Sequence, residues 1–342
     1  MSSAASLRRT ALSLTIGAIG AALAHLVGLP IAVLTGPAIA VSLAGLAGLR
    51  TGFDETVRNA VFLLVGVTIG SGVDPDAGQA LLRWPLAFAA LAVMLWLTLV
   101  LGSRLLQRLF GLDRRSAILA AAPGHLSFVV GLSTGLNLDT TRVVVVQSVR
   151  LLALTLTVPA IAALLGVDLS GPILPSGAPL SWLHLAALLV AGLALGTLAA
   201  RIGLPAPLLI GGMLASSIGH GTGVTPGLPP PWIAAAGLVA VGTLIGTRFS
   251  GISRQALLRS LTAGLAVTAL CVLLALAFAI PVANLLGFEV THVLIAFAPG
   301  GLETMIAMGV VLGADPGFVA AAHVARLLIL TLILPAFVGR LR

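Results

Sequence analysis

The chain of 342 residues is 59% hydrophobic and only 8% charged, with a formal net charge of +8 and a mean hydropathy of +1.17. A soluble domain carries about a quarter charged residues, so water cannot be the solvent for most of this surface, and lipid must be. All 18 basic residues are arginines, and most lie in short loops between apolar stretches, a distribution that orients membrane proteins and does not favour nucleic-acid binding.

The first half of the chain is predicted to contain five spanning helices, at about residues 11–27, 31–48, 56–72, 85–103 and 141–165. Each has about the 17 to 25 residues that a membrane-spanning helix needs. Arg8 and Arg9 give the first stretch the look of a signal peptide. It has a counterpart later in the chain, however, so we interpret it as a retained span.

The second half repeats this order, with predicted spans at about 183–200, 205–220, 232–248, 261–282 and 317–338. In each half, a stretch broken by Pro-Gly lies between the fourth and fifth spans, at 116–137 and 293–313. A linker at 167–181, rich in Pro, Gly and Ser and expected to be periplasmic, separates two predicted units at 10–166 and 182–340.

The two units are copies of one sequence at an offset of 176 residues. The run QALLR at 79–83 recurs at 255–259, Pro123-Gly124 recurs as Pro299-Gly300, and the run RLL at 150–152 recurs at 326–328. Chance does not keep one register over a whole unit, so we infer an internal duplication.

Loop charges predict that the second unit is inverted relative to the first. Residues 104–115 carry +3 and their counterpart 280–291 carries −1, whereas residues 72–83 carry −1 and their counterpart 248–259 carries +3. Arginine-rich loops favour the cytoplasm, so equivalent loops are expected on opposite sides, with the N-terminus cytoplasmic. Inversion needs an odd number of crossings, which predicts that each broken stretch is a re-entrant hairpin. In the rival interpretation each is a kinked full span and the halves are parallel.

The two breaks are the predicted binding site for a substrate. A half-helix that begins after each Pro-Gly leaves amide groups without partners, and these can bind an anion. The alternative is that Pro-Gly only kinks a packed helix. The residues assigned to the site around the breaks are Pro123, Gly124, His125, Ser127, Pro299, Gly300, Gly301, Glu303 and Thr304.

Two arginines, Arg150 and Arg326, lie deep inside the last span of each unit, and His323 precedes Arg326 by three residues on the same helix face, as Gln147 precedes Arg150. An intramembrane arginine suggests a functional site, here for a carboxylate or another oxyanion. We assign Arg150, His323 and Arg326 to the site. The alternatives are that each arginine caps the carbonyl ends of the opposing hairpin or pairs with an internal carboxylate.

Glu303 breaks the symmetry between the units, since Ser127 takes its place in the first. It is expected either to cap a helix or to bind a coupling ion, H⁺ or Na⁺, with Arg326 as a candidate partner. Asp139 and Asp315 are expected to be helix caps, and Cys271 a buried structural thiol. The six histidines are dispersed, so neither a metal site nor a cofactor is expected.

The sequence resembles the AbrB-type duplicated membrane proteins of Gram-negative bacteria over about residues 10–340. The resemblance is carried by Gly203-Leu204-Pro205 followed by Gly212-Met213-Leu214, and by the run PGGLETM at 299–305. The first unit departs from the pattern at Pro37, His125 and Ser127, so the second break is the better candidate for a site.

The resemblance implies an all-α polytopic membrane protein of two inverted repeats, similar to inverted-repeat secondary transporters. Members are labelled regulators of gene expression or ammonia monooxygenases. We expect an inner-membrane transporter of a small anionic organic solute, not an enzyme, with the lipid bilayer as its surroundings and no nucleic-acid partner. A membrane sensor that acts indirectly on gene expression is the alternative, and a homodimer is left open.

Overall fold

The computed structural model describes residues 3–72, 84–123, 126–167 and 177–339. This part of the chain is almost entirely helical. The seven helices of the first predicted unit are Ser3–Leu26 (α1), Ala32–Leu46 (α2), Glu55–Gly70 (α3), Trp84–Phe110 (α4), Arg114–Ala121 (α5), Leu126–Gly135 (α6) and Thr140–Leu164 (α7). Those of the second are Trp182–Arg201 (α8), Pro207–Gly221 (α9), Pro231–Thr247 (α10), Arg254–Leu286 (α11), Val290–Phe297 (α12), Leu302–Val311 (α13) and Pro316–Gly339 (α14).

Six of the described helices are long and apolar enough to cross a membrane: α1, α4, α7, α8, α11 and α14. The protein is therefore a multi-pass membrane protein, as its composition predicts. The other four predicted spans form α2, α3, α9 and α10, with 15 to 17 residues each. At a rise of 1.5 Å per residue they reach only about 22 to 26 Å, less than the roughly 30 Å of the hydrocarbon core.

Helix starts follow from short polar side chains in the loops. Asp54, Asp113, Asp139 and Ser253 each accept a hydrogen bond from a backbone amide in the first turn of the helix that follows. The carboxylate of Asp315 likewise accepts from the amides of Gly317 and Phe318. These bonds satisfy amides that the helix itself leaves unpaired. The prediction that Asp139 and Asp315 are helix caps is confirmed.

An unusual backbone conformation precedes α2 and α9 at equivalent positions of the two units. Ile31 and Ala206, each directly after a proline, have φ values of 47° and 44°. Positive φ is rare for residues other than glycine, and for a β-branched isoleucine it is an outlier. The two units therefore share a strained feature as well as a sequence pattern.

The first of two helix bundles contains α1, α2, α3, α8, α9 and α10. Two of its close contacts cross between the units: α3 packs on α9, and α10 packs on α2. A methyl group on Gly66 would collide with the carbonyl of Leu209, and one on the equivalent Gly242 with the carbonyl of Leu34. Glycine at these two positions is what allows the helix backbones to touch.

The second bundle contains α4 to α7 and α11 to α14. Contacts between its long helices again cross between the units, since α4 packs on α14 and α7 packs on α11. Because α4 corresponds to α11 and α7 to α14, exchanging the two units converts each of these contacts into the other. The exchange fails at one element, however. Helix α13 packs against α3, α7 and α10, whereas its counterpart α6 packs mainly on α5 and α7.

Candidate functional site

Both predicted breaks separate a pair of short helices. Helix α5 ends at Ala121 and α6 begins at Leu126, while α12 ends at Phe297 and α13 begins at Leu302. Pro123 is buried at the first break. Gly124 and His125, which the sequence assigned to the site, lie outside the described residues, and for Ser127 only the backbone within α6 is described.

Arg326 on α14 caps the end of α12. Its side chain is only 3% exposed, and its Nη1 and Nη2 atoms donate to the carbonyls of Ala298 at 3.2 Å and Gly300 at 2.9 Å. These carbonyls lie at and beyond the last turn of α12, where no helix amide remains to bond them. The guanidinium therefore satisfies the broken backbone, and the positive charge sits at the negative end of the helix dipole.

Arg150 on α7 does the same for α5 with more bonds. Its guanidinium donates to the carbonyls of Ala120, Ala121 and Ala122 at 3.2 to 3.4 Å, and to Oε1 of Gln147 at 3.4 Å. The amide nitrogen of Gln147 also donates, to the carbonyls of Leu119 at 2.8 Å and Ala122 at 3.3 Å. Each arginine thus holds the break of its own unit, and not the opposing one.

His323 occupies the position of Gln147 in the second unit but does not reproduce its bonds. The ring is completely buried, and the carbonyl of Ala296 approaches it without the geometry of a hydrogen bond. Within the part of the chain that the structure describes, neither ring nitrogen has a hydrogen-bond partner of good geometry. The second break is therefore held by fewer side-chain bonds than the first.

Glu303 and Thr304 lie in the first turn of α13. Gly301 is the N-cap residue, and no side chain caps this helix by a hydrogen bond. Glu303 makes no hydrogen bond to a described amide, so its carboxylate stabilises the start of α13 through its charge, which is one of the two forms of capping that the sequence allows. Glu303 is half-buried, and none of the described cations lies within ion-pair distance of it. Thr304 is buried.

A cavity of about 1120 Å³ lies between the two bundles and contains the second break. From the second bundle it is lined by Arg150, Arg326 and the whole of the break, residues 299–303. From the first bundle it is lined by α3, by the end of α8 with the loop 202–206, by the first turn of α9 and by the end of α10. The strained Ala206 is part of this wall. Pro123, Thr304 and His323 do not line the cavity.

The cavity is positively charged. Four arginines line it, Arg58, Arg150, Arg248 and Arg326, against two glutamates, Glu55 and Glu303, which leaves a formal charge of +2. Arg58 is paired with Glu55 at 3.0 Å, and Arg150 and Arg326 are held by carbonyls. Arg248, at the C-terminal cap of α10, interacts electrostatically with Glu303 across the cavity, without an ion pair.

Arg58, Arg248 and Glu55 are the site residues that sequence reasoning missed. Each lies at the end of a predicted span, where a charged side chain is normally explained by the membrane boundary. The sequence did contain one indication for Arg248. The equivalent residue of the first unit is Gly72, so an arginine here is not a feature that the two units share. Cys271 is buried, as predicted.

These features define a multi-pass membrane protein with a polar, positively charged cavity at a helix break. Its family follows from comparison with known proteins. The sequence model of the AbrB family, described as "Transition state regulatory protein AbrB", matches residues 33–342, and the chain belongs to this family.

Two relatives are similar over most of their length. The protein named "Putative regulator AbrB" of Escherichia coli (strain K12) is 26% identical over 319 residues, which cover 91% of this chain and 90% of the relative. "Uncharacterized protein YhjN" of Bacillus subtilis (strain 168) is 25% identical over 298 residues, covering 80% of this chain and 76% of the relative. The Bacillus relative extends the likeness beyond the Gram-negative bacteria to which the sequence resemblance pointed.

Proposed function

We propose that this protein is a secondary transporter of a small anionic organic solute in the bacterial inner membrane. The observation that carries the proposal is the cavity between the bundles, where the second break faces Arg248 from the other bundle. Broken helices at a bundle interface are the usual place of the substrate site in secondary transporters. A carboxylate is the favoured ligand group, because the lining has a formal charge of +2 and arginine matches carboxylate geometry.

The proposed topology has two inverted repeats, each with about five crossings and one re-entrant hairpin. The opposite charges of equivalent loops support it, as does the pairing of helices between units. The short pairs α5–α6 and α12–α13 have 8 to 10 residues per helix, too few for each to cross alone. Non-helical backbone at membrane depth must be covered by protein or line a cavity, and the break at 298–301 meets that condition through Arg326 and the cavity.

Labelling of equivalent positions tests this topology. Arg108 and Asn284 are exposed, lie near the ends of α4 and α11, and are 176 residues apart. Arg108→Cys and Asn284→Cys, each made in a Cys271→Ala background, are expected to react with an impermeant maleimide from opposite sides of the membrane. Reaction of both from the same side contradicts the inverted arrangement and favours the parallel one. The Cys271→Ala protein without an added cysteine is the control.

In the proposed mechanism the ligand binds where the two bundles meet. The amides of Leu302, Glu303 and Thr304 come before the first bonded amide of α13, that of Met305, and have no hydrogen bond to other described residues. A carboxylate could accept from them while pairing with Arg248. Arg326 would keep the backbone of the break in place and contribute charge. Since the two binding groups belong to different bundles, movement of one bundle against the other would open the site.

Arg248 is the best residue for a binding test, because it lines the cavity without holding the break. Purified protein is screened by thermal shift against C2 to C6 mono- and dicarboxylates, and uptake of the stabilising compound is measured in proteoliposomes. Arg248→Gln is expected to weaken its binding at least about tenfold, since a charge-assisted hydrogen bond contributes about 1.5 to 3 kcal/mol. Arg201→Gln, at the exposed end of α8 and outside the cavity, is the matched control. Equal losses in both variants contradict the proposed site.

A membrane sensor or regulator is the second candidate function. The description of the family and the name of the Escherichia coli relative favour it. A sensor would use the same cavity without net transport and would affect gene expression indirectly. Saturable binding of a carboxylate without saturable uptake in proteoliposomes would support it against the transporter. Neither proposal includes an enzymatic step or a cofactor.

A further inference from the structure

A second cavity, of about 550 Å³, lies away from the break and shares no lining residue with the large cavity. Its walls come from Arg9 on α1, the end of α2 with the loop that follows, and the loop between α10 and α11. Gly45 allows the end of α2 to approach the backbone of Phe249 and Ser250 closely, where an added methyl group would lie 3.1 Å from both. The cavity therefore forms where α2 meets the α10–α11 loop.

The charge in this cavity is entirely positive. Arg9, Arg50 and Arg254 line it together with the hydroxyl-bearing Ser250 and Ser253, and no acidic residue is part of the described lining. Arg254 is the first residue of α11, where a cation is opposed by the positive end of the helix dipole. Arg50, Arg254 and the N-terminus of α11 place like charges in one concave site, and a bound anion would offset their repulsion.

The arginines at this place are not a consequence of the shared fold. At an offset of 175 or 176 residues, the sequence has His184 where the first unit has Arg9, Pro226 for Arg50, and Gly78 for Arg254. None of these three corresponding positions, two in the second unit and one in the first, carries an arginine. The positive-inside rule explains arginines in a loop, but it does not require three of them to converge on one cavity.

We propose that this cavity binds a phosphate group, carried by the headgroup of an anionic phospholipid. Arginine binds phosphate oxygens through paired, charge-assisted hydrogen bonds. Basic pockets at the ends of membrane helices are suited to anionic headgroups. Leu49 lies in the same wall and is 47% exposed, which provides an apolar rim for the start of an acyl chain. A small soluble phosphate has the same chemistry but would not use this rim.

The test uses the full-length protein in a neutral detergent. Thermal stabilisation is titrated with dioleoylphosphatidylglycerol, with dioleoylphosphatidylcholine and with glycerol 3-phosphate. The variant is Arg50→Gln with Arg254→Gln, since both side chains are exposed and can be changed without opening the core. Arg9 is left unchanged, because its stem packs against Gly52. The matched control is Arg104→Gln with Arg108→Gln, two exposed arginines of α4 outside this cavity.

Phosphatidylglycerol is expected to stabilise the protein and phosphatidylcholine to have little effect. The cavity double variant should weaken the phosphatidylglycerol response about 30-fold, since each arginine near an anionic surface contributes about a factor of five, and the control should stay within about twofold. If glycerol 3-phosphate competes with phosphatidylglycerol, the result would support a phosphate site that is filled from solution. If it does not compete, the result would support the lipid headgroup as the ligand. Equal losses in both double variants overturn the proposal. So does a cavity variant that is less stable without lipid but keeps its response to phosphatidylglycerol, because its arginines would then only stabilise the fold.

Discussion

The two breaks of the second bundle lie at equivalent positions of the sequence, 176 residues apart, but are held differently. At the first break, Arg150 and Gln147 together donate hydrogen bonds to four consecutive carbonyls, those of residues 119–122. At the second, Arg326 donates to two, and His323 adds no bond of good geometry. The second break also lines the large cavity, with α13 packed between the bundles. The break with more side-chain hydrogen bonds is thus not the one whose described backbone lines the cavity.

This difference suggests that the two breaks have different roles. A break that must only keep its backbone satisfied benefits from every available hydrogen bond. A break that must also present its amides and charge to a ligand cannot bury all of them in its own network. The second unit carries Glu303 and the glycine pair Gly300-Gly301, while the first carries Ser127 and His125 at the corresponding positions.

Removing the capping arginines is expected to have the largest effect. Arg150→Ala removes the donor to the buried carbonyls of Ala120 and Ala121, and Arg326→Ala removes the donor to that of Gly300, at about 1 to 3 kcal/mol for each unpaired group. The carbonyls of Ala122 and Ala298 keep a second donor, from Gln147 and from the amide of Gly300. Both should lower the thermal unfolding temperature in detergent strongly, and Arg150→Ala more, because it caps three carbonyls and not two.

The exposed Arg104→Ala serves as the control for this pair, since its side chain should contribute little to stability. Arg150→Lys and Arg326→Lys should recover only part of the loss, because an ammonium group cannot match the planar fork of guanidinium. If Arg326→Ala proved at least as destabilising as Arg150→Ala, the proposed difference between the two breaks would be wrong.

Sequence reasoning located both breaks and both buried arginines, because proline and an intramembrane charge are conspicuous in an apolar stretch. It could not identify the bonding partners. The carbonyls that Arg150 contacts are 28 to 30 residues earlier in the chain, and which break they belong to depends on how α5 packs on α7. One alternative placed the arginine on the break of the opposing unit, and the structure shows it on the break of its own unit.

The cavity itself could not be predicted, since it exists only between packed bundles. Arg58 and Arg248 come from helices of the first bundle, and the break comes from the second. No periodicity within one segment indicates that these three regions meet. The left-handed residues Ile31 and Ala206 were also missed, because a proline before each of them predicts a turn but not its sign of φ.

Exchanging the two residues that differ beside the arginines is expected to have an intermediate effect. His323→Gln should raise the unfolding temperature, because glutamine can donate to the carbonyls of Ile295 and Ala298 as Gln147 does to Leu119 and Ala122. Gln147→His should lower it, at about 1 kcal/mol for the lost bonds. Circular dichroism during heating in detergent measures both. Destabilisation by His323→Gln would show that the buried histidine has a role that glutamine cannot fill.

Replacing Glu303 should have the smallest effect on stability and the most specific effect on transport. The carboxylate makes no hydrogen bond or ion pair with other described residues, so Glu303→Gln removes only its attraction to the N-terminus of α13, about 0.3 to 1 kcal/mol. If Glu303 binds the coupling ion, uptake driven by a Na⁺ or proton gradient should be lost while carboxylate binding is kept. Glu55→Gln, whose glutamate lines the same cavity but is paired with Arg58, is the matched control. Gradient-driven uptake that survives in Glu303→Gln would remove Glu303 from coupling, and the second break would then differ from the first in ligand binding alone.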